Sequence, residues 1–220
     1  MVLTEKERHQ INTIVARFEA DTGIQAVAAV TSRADAYPEI PWKAYAMGSA
    51  LGAAAAALNP LVISDWTHAS IIAFDAMAIL AGGAMLSLLA AFVPPIGRLF
   101  LDKVRARNEA QQYAQAKFLE RELFRTQSRS AVLVVVCRFE RIAVVLADTG
   151  LAQHAPAAAL QAIGAEAKPL LPARGGGADH APVFELVFGR LKALLARSGF
   201  TGAPLEGNEI ADDVVAEPGA

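Results

Sequence analysis

Two long segments without charge dominate the first half of the chain. Residues 44–63 contain no Asp, Glu, Lys or Arg, and residues 70–95 contain a single charged residue, Asp75. Each segment is about 20 residues or longer, which is the length that a helix needs to cross a hydrocarbon core of about 30 Å. Residues 64–69 between them are polar and include a tryptophan, as is typical of a turn at a membrane surface. The sequence therefore predicts a transmembrane helical hairpin over residues 44–101.

A pair of helices in a soluble core is the competing interpretation, because residues 44–63 are rich in alanine and glycine. A helix on the surface of a soluble domain should carry a polar stripe along one side. Neither segment shows such a stripe, and residues 71–93 are apolar on nearly all sides. The length of the segments and the missing polar side together favour the membrane.

The charges beside the two segments predict the orientation of the hairpin. Lys43 precedes the first segment, and the connecting turn has neither Lys nor Arg. The second segment is followed by four basic residues, Arg98, Lys103, Arg105 and Arg107. Loops rich in Lys and Arg stay in the cytoplasm, and residues 1–10 lack the apolar core of a signal peptide. We therefore expect a multi-pass membrane protein with both termini in the cytoplasm and the lipid bilayer as a partner.

Outside the hairpin, the apolar periodicity predicts one small soluble domain. The predicted helices cover residues 3–20, 108–124, 156–168 and 179–197, and the predicted strands cover residues 24–30, 131–136 and 142–146. Strands that are apolar along their whole length are buried on both faces. We therefore expect an α/β fold, a small mixed-sheet α/β sandwich interrupted by the transmembrane hairpin. Residues 1–43 and 102–200 would form the two parts of this domain, and residues 201–220 a flexible acidic tail.

The composition excludes several classes of function. The net charge is -2, so no strongly basic body is present to attract nucleic acid. The one cysteine, Cys137, lies in an apolar run and is expected to be a buried residue of a strand. The sequence has no Cys/His cluster with zinc spacing and no glycine-rich phosphate loop between a strand and a helix. No catalytic residue and no firm cofactor are predicted on these grounds.

Five short motifs lie at residues 22–27, 126–133, 139–141, 147–151 and 208–212. They resemble motifs of the TPM domain family, in particular of a bacterial branch in which a two-helix transmembrane hairpin interrupts the domain. The resemblance covers nearly the whole chain, with Ala131, Cys137 and Ala211 as departures from residues that are common in the family. It implies a small α/β sandwich in a protein of the bacterial cytoplasmic (inner) membrane. Some members of the family are described as phosphatases, some bind calcium and others are partners of membrane complexes.

Asp148 is the strongest candidate for a functional side chain. It follows a predicted strand and precedes Gly150 by two residues, so its carboxylate leaves the end of the sheet at a tight turn. Such a carboxylate suits a hard cation, which makes calcium the one cofactor that the sequence suggests. The alternative is local: the side chain bonds the backbone of its own turn.

The resemblance to the TPM family also implies possible functional turns at four more residues: Glu140, Arg141, Asn208 and Glu209. Glu140 and Asp148 flank one strand of about 17 Å and cannot share a metal ion. The alternative for Glu140 and Arg141 is an exposed hairpin turn with an ion pair. The four histidines, at positions 9, 68, 154 and 180, are expected at the surface.

The sequence leaves two classes of function open. The first is a membrane-tethered regulatory or interaction module of a membrane complex. The second is a weak phosphatase or a divalent-cation-dependent hydrolase. The missing nucleophile, metal cluster and phosphate loop favour the first. Gly48, Gly52 and Gly82-Gly83 allow close helix contacts, so the expected partners are another membrane protein or a second copy of the chain.

Overall fold

The chain divides into two compact units in its computed structural model, which describes residues 3–58, 68–126, 128–172, 179–200, 202 and 214–217. Met1–Ala36 and Lys103–Ala220 together form the first, here called the α/β unit. Tyr37–Asp102 form the second, here called the helical unit. The predicted hairpin over residues 44–101 falls inside the helical unit.

The α/β unit contains four helices and four strands in its described part. The helices are α1 (Glu5–Thr22), α5 (Lys103–Glu120), α6 (Ala157–Glu166) and α7 (Ala181–Arg197). The strands are β1 (Ala26–Thr31), β2 (Val132–Cys137), β3 (Ile142–Ala147) and β4 (Val215–Glu217). The helical unit contains α2 (Glu39–Leu58), α3 (His68–Phe92) and the short α4 (Pro94–Gly97).

Local capping interactions fix both ends of helix α1. Thr4 and Glu7 form a capping box, in which each side chain bonds the backbone N–H of the other residue, as the sequence predicts. Gly23 ends the helix with a left-handed φ of 68°, a conformation that costs glycine little. Ile11, Val15 and Phe18 are buried on one side of the helix.

The sheet has the strand order β3-β2-β1-β4. Strand β1 is parallel to both β2 and β4, whereas β2 and β3 are antiparallel neighbours. All six residues of β1 and all six of β2 are buried, because helices cover both faces of the sheet. The predicted α/β class and the mixed sheet that contains the three predicted strands are confirmed.

The two faces of the sheet carry separate apolar clusters. Alternate residues of β1 point to opposite faces: Ala28 packs with α1, α6 and α7, while Val27 and Ala29 pack with α5. The layers are therefore helix, sheet and helix.

Strand β4 differs from the prediction of a flexible tail over residues 201–220. Three of its residues pair with β1, and Val214 and Val215 are buried on opposite faces of the sheet. Apart from residue 202, the rest of the tail lies outside the described residues.

In the helical unit, α2 and α3 pack against each other as an antiparallel pair. Gly48 lies against Gly82, and Gly52 lies against Ala78. The contact partner on α3 thus moves back by four residues when the position on α2 moves forward by four, as in antiparallel helices. Helix α2 starts before the predicted segment, and Pro41 lies in its first turn. Proline is tolerated at this position because the first turn of a helix needs no intrahelical N–H donor.

Candidate functional site

The most unusual surface of the protein is the apolar surface of α2 and α3. Its large side chains are 37% to 80% exposed: Met47, Leu51, Leu58, Ile72, Phe74, Met77, Leu80, Met85, Leu88, Leu89 and Phe92. Only 6% of the most apolar part of α3 is buried. Soluble monomers rarely expose continuous apolar patches larger than a few hundred Å². An exposed apolar surface of this kind is typical of a contact with lipid or with another protein.

Small residues produce this arrangement, because they occupy the contact between the two helices. A Cβ atom on Gly52 would lie 2.5 Å from the carbonyl oxygen of Ala78, and one on Gly48 would clash with the carbonyl group of Gly82. Close backbone contact of this kind is common between membrane helices. The glycines that were expected to mediate self-association lie in the contact between α2 and α3 of the same chain, and self-association stays a prediction.

Helix α3 is the one helix in the described part of the chain that is long and apolar enough to cross a membrane. The candidate span covers residues 69–92. The described part of α2 does not meet the same criterion, and the predicted first segment continues through residues 59–63, outside the described residues. The structure thus supports one candidate span, which by length and composition alone is weak support for a membrane protein.

The end of the helical unit at which the chain enters and leaves has an amphipathic character. The Lys43 ammonium group lies 3.4 Å from the carbonyl oxygen of Phe100. Beside these residues, Trp42 is 72% exposed and Leu99 is 80% exposed. Tryptophan and lysine beside an apolar helix are typical of the boundary between membrane and water.

Asp148 is buried at the start of a single 3₁₀ turn, Thr149–Leu151. Its Oδ1 atom accepts a hydrogen bond of 2.7 Å from the backbone N–H of Thr149. Its Oδ2 atom lies 2.9 Å from Nε of Arg129, which is an ion-pair distance. The angle at the N–H does not meet the criterion for a hydrogen bond. The carboxylate is thus engaged by its own turn and by one cation.

These contacts favour the local role of Asp148 over the calcium site. The described residues contain no group of three or more His, Cys, Asp or Glu side chains that could hold a metal ion. Gly150 allows the turn to approach the loop before β2, where a Cβ atom would lie 2.6 Å from the carbonyl oxygens of Ser128 and Arg129. Calcium binding at Asp148 stays an untested prediction.

Glu140 and Arg141 are not the exposed ion pair that was expected. Glu140 is buried, and its Oε1 atom accepts a hydrogen bond of 2.9 Å from the backbone N–H of Ala34. Arg141 donates to the carbonyl oxygen of Leu171 over 3.2 Å from Nε and 2.7 Å from a terminal nitrogen. Each side chain therefore fastens a different loop to the β2–β3 turn, which is a structural role.

The remaining predicted positions have simple outcomes. Cys137 is fully buried at the end of β2, as predicted, and burial together with the charge of Glu140 raises the pKa of its thiol well above 9.0. Asn208 and Glu209 lie outside the described residues.

Sequence reasoning missed a buried histidine. His180 was expected at the surface, but its side chain is 1% exposed and its Nδ1 atom lies 2.6 Å from Oε1 of Glu7. The backbone N–H of His180 donates to the same oxygen over 2.8 Å. Nε2 of the ring has no hydrogen-bond partner in the part of the chain that the structure describes. The pair joins the start of α1 to the start of α7.

A polar cluster on α5 was also missed, because its members are about a hundred residues apart in sequence. The hydroxyl of Tyr113 donates to one carboxylate oxygen of Glu217 over 2.9 Å. Lys117 lies 2.6 Å from the other oxygen and 2.8 Å from Glu120. The cluster binds the end of β4 to α5.

The pKa values of this cluster follow from burial and charge. Burial, together with the contact to Glu217, raises the pKa of Tyr113 to about 12. Burial by itself would raise the pKa of Glu217, but hydrogen bonds from Lys117 and Tyr113 lower it below 4.5. Burial opposes the charge of Lys117, but its bonds to Glu120 and Glu217 raise its pKa above 10.5. The carboxylate and the ammonium group are therefore both charged near neutral pH.

No protein-family model matches the sequence, and no curated protein matches it. In structure, the chain is similar to the BA42 protein of the psychrophilic bacterium Bizionia argentinensis sp. nov., determined by NMR. The TM-score is 0.54 at 9% sequence identity, and the match covers 98% of this chain and 96% of that one. At this identity the similarity concerns the fold alone. The resemblance to the TPM family stays a prediction.

Proposed function

We propose that this protein is a membrane-tethered α/β module, inserted in the bacterial cytoplasmic membrane by α2 and α3, with both termini in the cytoplasm. The exposed apolar surface of these two helices carries the proposal. Burying one large apolar side chain contributes about 1.5–3 kcal/mol, and this surface has many such side chains exposed. A bilayer would cover them without any further protein.

The proposed role of the α/β unit is that of a regulatory or interaction module, with a membrane complex as its partner. The helical unit enters the sequence between β1 and α5, so one tether holds a complete sheet with both faces covered. The predicted turn motifs also serve packing: Glu140, Arg141 and Asp148 bond loops of their own unit. These observations support binding more than hydrolysis as the activity of the unit.

Fractionation and topology mapping test the tether. The chain should stay with membranes after a wash with alkaline carbonate, and detergent should release it. A reporter that is active only outside the cytoplasm should be inactive when fused after Ala220 and active when placed within residues 64–69. A chain recovered as a soluble folded protein, or an active reporter after Ala220, would contradict the proposal.

A further inference from the structure

The edge of β1 that faces β4 has the features of a binding site for an extended peptide. Segment 214–217, here called the tail strand, runs parallel to β1 with the register Ala29↔Val215, Val30↔Ala216 and Thr31↔Glu217. In contrast, β1 and β2 pair over six positions. The tail strand is thus a short edge strand, held on one side by β1.

Side chains of helix α1 form hydrogen bonds with the backbone of Val214, the first residue of the tail strand. A guanidinium nitrogen of Arg8 donates to the carbonyl oxygen of Val214 over 3.2 Å. The side-chain oxygen of Asn12 accepts a hydrogen bond of 3.3 Å from the N–H of the same residue. The backbone N–H and C=O of Val214 are therefore both bonded by side chains from α1 that lie one turn apart. Contacts to the backbone accept any residue here and fix the direction and register of the strand.

Side-chain selectivity comes from the two faces of the sheet. Val214 is buried in the cluster with α1 and α7, and Val215 is buried in the cluster with α5. Glu217 points to the same face as Val215, where the Tyr113 hydroxyl and the Lys117 ammonium group each bind one carboxylate oxygen. The site therefore selects two adjacent aliphatic residues followed, two positions later, by a carboxylate.

We propose that this edge is a peptide-binding site of the α/β unit, for a partner segment with that pattern that adds as a parallel strand. The tail strand of the protein itself occupies the site in cis and competes with the partner. Addition of a strand to a sheet edge uses main-chain bonds for affinity and side-chain pockets for specificity. Every contact of the site belongs to the α/β unit, so the inference does not depend on insertion of the helical unit into a membrane.

A charge reversal in the intact chain tests the proposal. Glu217→Lys places two ammonium groups together and should release the tail strand. A fluorescent peptide with the sequence of residues 211–220 should then bind the purified variant at least tenfold more tightly than it binds the wild-type chain. The matched control is the same peptide with lysine in place of its glutamate at position 217. The Lys117 ammonium group should repel that lysine, so this peptide should bind the Glu217→Lys variant at least tenfold more weakly than the glutamate peptide does.

Two other measurements keep the test decisive. In the wild-type chain, the amides of Val215–Glu217 should exchange with solvent at least tenfold faster than the core amides of Val132–Cys137. The reason is that detachment of a three-residue edge strand is enough to expose them, whereas the core strand is exposed only when the sheet opens. Equal protection of the two strands would overturn the proposal. So would peptide affinity that is the same for Glu217→Lys and wild type, or loss of cooperative folding in Glu217→Lys, since both outcomes mean that the tail strand is a fixed part of the fold.

Discussion

Replacing Leu80 by arginine separates a membrane span from a soluble helix most sharply. Leu80 is the central residue of α3 and is 61% exposed. Arginine at the centre of a membrane helix costs about 2.5–3.5 kcal/mol, and leucine contributes about -0.3 to -0.6 kcal/mol there. The change therefore opposes insertion by about 3.5 kcal/mol, or about 300-fold in the equilibrium. On a water-exposed helix the same change stays within about 0.5 kcal/mol.

The matched control is Leu119→Arg on α5 in the α/β unit, where the leucine is 63% exposed. Each variant would be synthesised in the presence of bacterial inner-membrane vesicles, and the fraction that resists carbonate extraction would be measured. Leu80→Arg should lower this fraction, and Leu119→Arg should leave it unchanged. A strongly favourable span can absorb one charge, so Met77→Arg/Leu80→Arg about doubles the penalty.

The reasoning would be refuted if the double variant resisted carbonate as well as the Leu119→Arg control does. In that case the exposed side chains of α3 would not face lipid. Recovery of the wild-type chain in the soluble fraction as a folded protein would refute it directly. Either result would instead point to a protein partner that covers the apolar surface.

Four further predictions follow from the contacts described above. Gly48→Leu should destabilise the contact between α2 and α3 by about 1–3 kcal/mol or more, measured by unfolding in mixed detergent, whereas Gly189→Ala, at an open exposed position, should stabilise α7 by about 1 kcal/mol. Asp148→Asn should cost at most about 1 kcal/mol, because asparagine keeps the cap on Thr149 and loses only the ion pair with Arg129, and millimolar calcium should leave the melting temperature of both forms unchanged; a rise that Asp148→Asn abolishes would establish the calcium site. The wild type should melt above Glu217→Gln at neutral pH. Because the folded pKa of Glu217 is lowered, this difference should be lost as the pH falls below 4.5. The raised pKa of Tyr113 predicts a second loss of stability as the pH rises from 10.0 to about 12, which Tyr113→Phe should remove.

The sequence predicts those parts of the fold whose signals are local. Thr4 and Glu7 are three residues apart, so the capping box that starts α1 is visible in the chain itself. Strands β1, β2 and β3 are apolar along nearly their whole length, which marks them as core strands before any pairing is known. The antiparallel hairpin β2–β3 follows, since a short turn joins the two strands.

Features that depend on distant partners could not be predicted in this way. The pairing of His180 with Glu7 joins residues 173 positions apart. Glu140 looks like the tip of an exposed turn in the sequence, but it is buried and accepts a hydrogen bond from the backbone N–H of Ala34, which is 106 positions away. The tail strand has three residues and lies in an acidic segment, so neither length nor periodicity distinguishes it. Its position is fixed by β1 and α5, whose arrangement no local pattern reveals.

The α/β unit can accept a long insertion because its chain leaves and returns at neighbouring points. Asp35, shortly after β1, lies 2.9 Å from Arg105 in the first turn of α5, and this ion pair lies within the α/β unit. An insertion between adjacent points adds a closed loop, whose entropic cost rises only slowly with length. The parallel pairing of β1 with β2 keeps all six register positions without any residue from the helical unit. The insertion is therefore free to be selected for its own environment, which explains why its small residues meet inside the hairpin while its large apolar residues face outward.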